Sequence, residues 1–553
     1  MCARKNSFET YPMSPDFSSA EKETTKVLTA KDITIELPGG RELVKNFSLT
    51  INPNDKIGVI GEEGNGKSTL LKVLAGIKQP DFTIKGETNS DQVNIGYLPQ
   101  FLPEDWDTES VTNFFLKEKS EDEISWERYN DLPQVAQAIS EVGLDPKIII
   151  NETYDMPMSE LSGGEKVRLE LAKILIADPD VLLLDEPTND VDLSFLIWFE
   201  KFIQESNKGI AIISHDETLL ERATNRIVHL EQTNHRTKAK HTKANINFAE
   251  YAKQRIKSID TQTNEAKRQR RELKESLETA RQQKSSVRSQ QESTKDSTTR
   301  RLLNKKMKTV KKVETKLLSQ ELTEVPDIEE AIKFEFPETA KLPAGKRVAD
   351  WQLDELVVQT KKGPRLLAEN LELAVTGPEK IAITGKNGSG KTTLLKQLKD
   401  HIKNDIGLEV GYFPQNYAEL LADPDKPAKD YLVNPGLGVD ETYARTCLGR
   451  LKFSSEEMTL PVSQLSGGQK AKLVLLKLML DGSQVLLLDE ASRNLSPLSN
   501  PVIRQAFRDF PGAIVAVSHD RKFIDQIAGR ALLLDQNGLQ EIDKEKIEDI
   551  FTK

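Results

Sequence analysis

The chain has 553 residues, 37% hydrophobic and 30% charged, with a net charge of −10 and two cysteines. That length predicts two or three globular units, and no run approaches the ~18 apolar residues of a membrane span. With no apolar secretory core at the N-terminus and only Cys2 and Cys447, a secreted disulfide framework, a four-cysteine zinc site and an iron–sulfur cluster are excluded, so a cytoplasmic protein is expected.

In chain order, residues 1–26 are polar and read as a disordered extension. A first unit, 27–235, opens with the strand-like KIGVIG at 56–61, which runs into GEEGNGKST at 61–69 and a helical pattern. GYLPQ (96–100), LSGGEK (161–166), VLLLDE (181–186) and ISHD (213–216) follow. The buried-strand runs VLLLD and IAIIS alternate with helical stretches, which predicts an α/β unit with a parallel sheet.

The next segment, 236–344, has another composition. Residues 236–318 hold 24 Lys and Arg against 9 Asp and Glu, a charge of +15, which leaves −25 elsewhere. Ala252, Ile256, Ile259, Ala266, Leu273, Leu277 and Ala280 fall on a 3–4 stripe, as do Leu303, Met307, Val310, Val313 and Leu317. The pattern predicts two antiparallel helices, a hairpin, joined by a polar loop over 283–299 whose only apolar group is Val287. A solvated charged linker is the alternative, disfavoured by the persistence of the stripe. One basic segment in an acidic protein points to a localised polyanion contact.

The last unit, 345–553, repeats the first. GKNGSGKTT (385–393), GYFPQ (411–415), LSGGQK (465–470), VLLLDE (485–490) and VSHD (517–520) recur in the same order. The predicted fold class is therefore α/β, two tandem P-loop domains joined by an α-helical hairpin.

Each glycine-rich loop turns backbone N–H groups toward phosphates at a helix N-terminus. The candidate residues are Gly61, Glu62, Glu63, Gly64, Asn65, Gly66, Lys67, Ser68 and Thr69, and in the repeat Gly385, Lys386, Asn387, Gly388, Ser389, Gly390, Lys391, Thr392 and Thr393. Lys67 and Lys391 are expected on the β- and γ-phosphates, and Ser68 and Thr392 on Mg²⁺. Asp185 and Asp489 end buried strands, positioned to face the metal. Glu186 and Glu490 come next and are candidate general bases. His215 and His519 each lie 29 residues beyond their glutamate and are read as γ-phosphate sensors. Ser-His-Asp contiguity at those positions is not a hydrolase triad, because neighbouring side chains at a strand end do not converge. Ser162, Gly163 and Gly164, and Ser466, Gly467 and Gly468, open further helices with anion-ready N-termini. One domain needs no second cradle for its own nucleotide, whereas two domains facing head to tail do.

With Gln100 and Gln415 ending the GYLPQ and GYFPQ segments, this ordered set resembles the ABC ATPase family over both units. The resemblance implies ATP and Mg²⁺ as cofactors, ATP hydrolysis, and Gln100 and Gln415 on the metal side of each site. It implies a monomer whose cassettes dimerise internally, pairing 61–68 with 466–468 and 385–392 with 162–164. Twin cassettes joined by a basic hairpin resemble the ABC-F family, and EASRNLSPLSNPVIR at 490–504 is similar to a string in Vga/Lsa-like antibiotic-resistance members. That resemblance implies binding to rRNA at the E site of the large ribosomal subunit, beside P-site tRNA, with no membrane or DNA partner. It further implies protection of the peptidyl-transferase centre from lincosamide, pleuromutilin or streptogramin A drugs. A housekeeping ABC-F factor acting on stalled ribosomes and a transporter ATPase subunit are the alternatives. Two departures stand out. Neither 33–40 nor 356–363 offers an aromatic to stack on adenine, which leaves GTP as a second substrate. Ala491 and Ser496 replace the family's proline and aspartate, which predicts unequal hydrolysis at the two sites.

Overall fold

The computed structural model describes residues 26–101, 109–117, 130–150, 156–189, 191–233, 238–293, 296–319, 336–360, 363–416, 420–492 and 495–552. Most of the extension expected over 1–26 lies outside them, as do residues 320–335 of the linker.

Short runs buried at every position are too short for helices and pair on both edges, so they become central strands of parallel sheets. In the first cassette β1 (Leu28–Glu36) and β2 (Glu42–Ile51) precede β3 (Lys56–Gly61), β4 (Thr83–Thr88), β5 (Ile95–Leu98), β6 (Val181–Asp185), β7 (Gly209–Ile213), β8 (Arg226–Thr233) and β9 (Lys238–Ala244). The main sheet has the order β5-β6-β7-β3-β8-β9, and β2-β1-β4 form a separate antiparallel sheet. The second cassette repeats the main sheet. An antiparallel ribbon of β10 (Arg347–Thr360) and β11 (Gly363–Thr376) precedes β12 (Lys380–Thr384), β13 (Val410–Phe413), β14 (Val485–Asp489), β15 (Ala513–Val517), β16 (Arg530–Asp535) and β17 (Gly538–Ile542), in the order β13-β14-β15-β12-β16-β17. In both sheets every pairing is parallel except the last, β8-β9 and β16-β17. The first sheet thus runs to Ala244, beyond the expected edge at 235, because β9 pairs with β8 along its whole length. At the other end Ala340 and Leu342 already belong to the second cassette's cores.

Between the cassettes stand two helices, a first arm Phe248–Ser293 and a second arm Ser297–Leu318. The first arm's 46 residues extend about 69 Å at 1.5 Å per residue. The loop expected over 283–299 is therefore a misreading: ten or more of its residues are helical. Gln, Lys and Arg are good helix formers despite their polarity. Lys284 Nζ bonds Glu314 of the second arm at 2.6 Å, and Val287 is buried between the arms instead of sitting at a tip. Asp296 caps the second arm by accepting from the Thr298 and Thr299 amides. Along the stripe Ala266, Ala280, Leu303 and Val310 are buried, whereas Ile256 and Val313 are exposed. No helix among the described residues is long and apolar enough to cross a membrane.

The cassettes meet through a charge cluster that is buried at Glu200, Glu217, Arg504 and Arg521 and more exposed at Arg222 and Glu548. Glu217 takes a bidentate bond from Arg504 (2.6 and 3.1 Å) and another from Lys522 (3.1 Å). Glu200 accepts from Arg521 at 2.8 Å, and Glu548 from Arg222 at 2.9 Å. Around these, Ile524, Ala528 and Ile547 of the second cassette join the first cassette's core.

Candidate functional sites

Both sites form where the parallel strands end, which is where doubly wound sheets bind ligands. In the first loop Gly64 and Gly66 have φ of 78° and 84°, left-handed values open to glycine at little cost. Lys67 opens the following helix, and its Nζ folds back onto the carbonyls of Gly61 (3.0 Å) and Glu62 (3.1 Å). Lys391 repeats this with Gly385 (2.7 Å) and Lys386 (2.9 Å). Burial lowers the pKa of Lys67, while Glu186, Glu63, Asp185 and Glu62 pull it back up. A cationic ammonium that is largely desolvated, among donor-rich backbone, is a phosphate receptor.

Ser68 Oγ donates to Asp185 Oδ1 at 2.9 Å, and Tyr97 donates to Oδ2 at 3.2 Å. Burial pushes the Asp185 carboxyl up, against those two hydrogen bonds. Asp489 is raised by burial in the same way, opposed by Thr392, Lys391 and Tyr412. A hydroxyl beside a buried carboxylate is a hard-oxygen pair that suits Mg²⁺. Among the described residues no group of three or more His, Cys, Asp or Glu could by itself hold a metal ion.

Glu186 and Glu490 have φ of 50° and 52°. Left-handed backbone at a non-glycine residue costs of order 1–3 kcal/mol and is kept where function holds it; here it turns each glutamate out of its strand at the same place. Glu186 accepts from Asn189 (2.7 Å) and Gln100 (2.8 Å), with His215 Nε2 at 3.2 Å. Burial opposes its charge, but the hydrogen bond and charge of His215 with Lys67 and Asn189 hold the carboxyl down at about 2. Gln100, expected beside the metal, is thus engaged with the glutamate, because its amide donates to Glu186.

Contacts across the cassettes distinguish the two sites. At the first, Glu63 accepts the Gly468 amide, Lys452 Nζ meets Glu62 at 3.2 Å, and His215 Nδ1 lies 2.7 Å from the Leu495 carbonyl. The loop 61–68 therefore faces 466–468, and the Glu62 and Glu63 side chains reach across to the other cassette. At the second, Asn387 donates its amide to Asp192 at 3.4 Å. A cavity of about 520 Å³ opens there, lined by Gly388, Gly390, Lys391, Thr392, Thr393, Gln415, Asp489, Glu490 and His519. Its wall from the first cassette includes Thr188, Asn189 and His215 and does not include Ser162, Gly163 or Gly164. Ser162 and Ser466 instead close capping boxes with Glu165 and Gln469, leaving the helix amides beyond them as the anion-facing groups.

Val358, Arg365 and Leu367 of the β10–β11 ribbon also line the cavity. Arg365 escaped the reading of the sequence, which sought an aromatic; a guanidinium is a planar stacking surface too. Asp192 and Lys452 were missed because their partners lie on the other cassette.

His519 is buried with neither ring nitrogen hydrogen-bonded, and Nε2 stands 3.8 Å from Glu490 Oε1. Burial, reinforced by the Lys391 cation and opposed by Asp192, drops its pKa from 6.5 to about 3. Below pH 6.5 the unfolded chain binds a proton that the folded chain refuses, so stability is lost as pH falls from 6.5 toward 3. One unit below 6.5 this amounts to about 1.4 kcal/mol. His519→Gln is expected to lose less stability than the parent between pH 7 and 5.5 in urea unfolding; equal losses would refute this assignment.

A family profile described as "ABC transporter" matches residues 44–189 and 368–493. Fold, duplicated site and this match define an ABC ATPase with two cassettes in one chain, an enzyme that binds and hydrolyses ATP. The relatives narrow the likeness: along nearly its whole length the chain is similar to ABC transporter F family members. It is 29% identical to the putative ATP-binding protein YdiF of Bacillus subtilis (strain 168), over 91% of this chain and 79% of that protein. It is 28% identical to the energy-dependent translational throttle protein EttA of Escherichia coli (strain K12), over 91% of each, and 29% identical to ABC transporter F family member 5 of Arabidopsis thaliana, over 91% of this chain and 74% of that one. Among solved structures, the RNase-L inhibitor superposes with a TM-score of 0.55 at 17% identity, covering 93% of this chain and 91% of its own, a likeness of fold. None of these relatives is of the Vga/Lsa resistance type.

Proposed function

We propose that this protein is a translation factor that binds the ribosome with ATP held between its cassettes and leaves after hydrolysis. The observation that carries the reading is the hairpin, whose segment 236–318 bears +15 in a chain otherwise at −25. Lysine and arginine along such arms neutralise RNA phosphates, and the relative EttA is named for throttling translation. The surface addressed is rRNA at the E site of the large subunit, with the hairpin directed toward P-site tRNA.

In this reading Lys67 and Lys391 hold the phosphates, and Ser68, Asp185, Thr392 and Asp489 hold Mg²⁺. When bound, Mg²⁺ would neutralise charge on the phosphate oxygens. Glu186 and Glu490 accept a hydrogen bond from the attacking water, His215 orients Glu186, and both His215 and His519 sense the γ-phosphate. Closure follows from the differential affinity of ATP for apposed cassettes.

The test is co-sedimentation. Glu186→Gln with Glu490→Gln is expected to hold the protein on large subunits in ATP, whereas the parent is released as it turns over. Absence of the double variant from the ribosomal pellet would overturn the reading. Drug protection is a second reading, favoured only by the 490–504 string. Cell-free translation with lincomycin decides it: rescue by added protein supports protection, and unchanged inhibition leaves the housekeeping role.

A further inference from the structure

We infer that Asn65 and β8 couple the first phosphate loop to the root of the hairpin, so that nucleotide at that loop, and not at the second, sets where the arms point. Asn65 is buried inside the loop, and its side-chain amide donates to the Leu230 carbonyl of β8 at 3.0 Å. Gly61 packs against that same carbonyl, where a Cβ would come within 2.3 Å of the oxygen. The neighbours of Leu230 on β8, His229 and Glu231, share one face of the strand, and both hold the first arm. His229 Nδ1 lies 2.8 Å from the Tyr251 hydroxyl, and Arg255 makes a two-pronged bond to Glu231, one prong at 3.2 Å. Tyr251 and Arg255 are four apart and so lie on one side of the helix.

Apolar packing follows the same path. Phe248 and Tyr251 form one cluster with Ile60, Leu220 and Ile227, and Leu498 of the second cassette packs against it. Ile60 immediately precedes the loop. The root therefore touches the strand that feeds the loop, the strand that the loop's side chain grips, and the opposing cassette. A shift of the loop or of Leu498 on nucleotide binding reaches the arms through groups in direct contact, the kind of contiguous path along which coupling is carried.

The second cassette lacks this connection. Gly385 approaches the Leu534 carbonyl of β16 in the same way, and a Cβ there would come within 2.5 Å of the oxygen. The residue matching Asn65 is Ser389, whose hydroxyl makes no hydrogen bond. Among the described residues β17 is followed by a short 3-10 turn, Lys544–Lys546, and the helix Ile547–Thr552.

The inference needs no RNA partner, so its failure would leave the ribosome reading standing. The experiment uses the full chain with Cys2→Ser and spin labels at Leu302→Cys on the second arm and Asp400→Cys on the second cassette, both exposed. Mg-ATP is expected to move the inter-label distance in this parent and in its Lys391→Ala variant, and not in Lys67→Ala. Tyr251→Phe with Arg255→Gln should keep the parent's basal ATPase rate while shrinking the distance response at least about three-fold. Asn65→Ser, which copies the second loop, should shrink it similarly when compared at equal ATP occupancy. A full response in the Tyr251/Arg255 and Asn65 variants would overturn the inference. So would a response lost with Lys391→Ala and kept with Lys67→Ala, or no response in the parent.

Discussion

Arg504→Met is expected to weaken the cassette interface by about 3–5 kcal/mol, the largest stability effect that this molecule predicts. Both partners are nearly dry, Arg504 at 6% and Glu217 at 5% side-chain exposure. Removing the guanidinium leaves the buried Glu217 carboxylate with Lys522 as its one remaining cationic partner among the described residues. Unpairing, more than lost attraction, is what costs. Replacing both partners with apolar residues should accordingly recover much of the loss, because the desolvation of two charges disappears along with their bond. Thermal unfolding of Arg504→Met, Glu217→Met and the double variant measures this directly. A double variant no more stable than the singles would mean that the cluster is not an isolated buried pair and that unpairing is not the dominant cost.

The second large effect is on turnover. Glu186→Gln with Glu490→Gln is expected to slow ATP hydrolysis about 10²- to 10⁴-fold, the usual contribution of a positioned general base, with ATP binding retained. An amide keeps the shape and loses the acceptor charge. The single variants should differ. Glu186 is held by Asn189, Gln100 and His215, and His215 is itself held by Leu495 across the interface. Glu490 instead faces the 520 Å³ cavity, accepting the His519 backbone amide at 3.4 Å, with the His519 ring nitrogens not hydrogen-bonded. A site that opens onto such a cavity can admit and release nucleotide, whereas Glu186 is locked in contacts that cross the interface, so Glu490→Gln should remove the larger share of steady-state phosphate release. Equal losses from the two single variants would contradict the asymmetry, and a double variant hydrolysing at the parent rate would remove the glutamates from the chemistry.

The phosphate loops, the paired aspartate and glutamate, and both histidines were legible because each is a contiguous backbone device at the end of a buried strand. The hairpin's existence was legible from its stripe. Its turn is not legible, because the polarity of 283–299 suggests a loop while its Gln, Lys and Arg residues favour helix and Val287 has a partner arm to bury against. The resemblance places Gln100 on the metal side, and only the structure adds that its amide nitrogen donates to Glu186. Arg365, Asp192 and Lys452 carried no local signal, because what matters about each is a neighbour far along the chain.

The amino-acid order by itself determined the duplicated α/β architecture, the basic hairpin between the halves and the placement of phosphate-binding loops. These follow from strand burial, helix periodicity and glycine geometry, all of which act within a few residues. Only the tertiary structure decided that Glu63 meets Gly468, that Arg504 meets Glu217, and that the hairpin's root rests on the strand gripped by Asn65. Those pairs lie 165 to 405 residues apart, and at such separations partners are chosen by how whole elements pack.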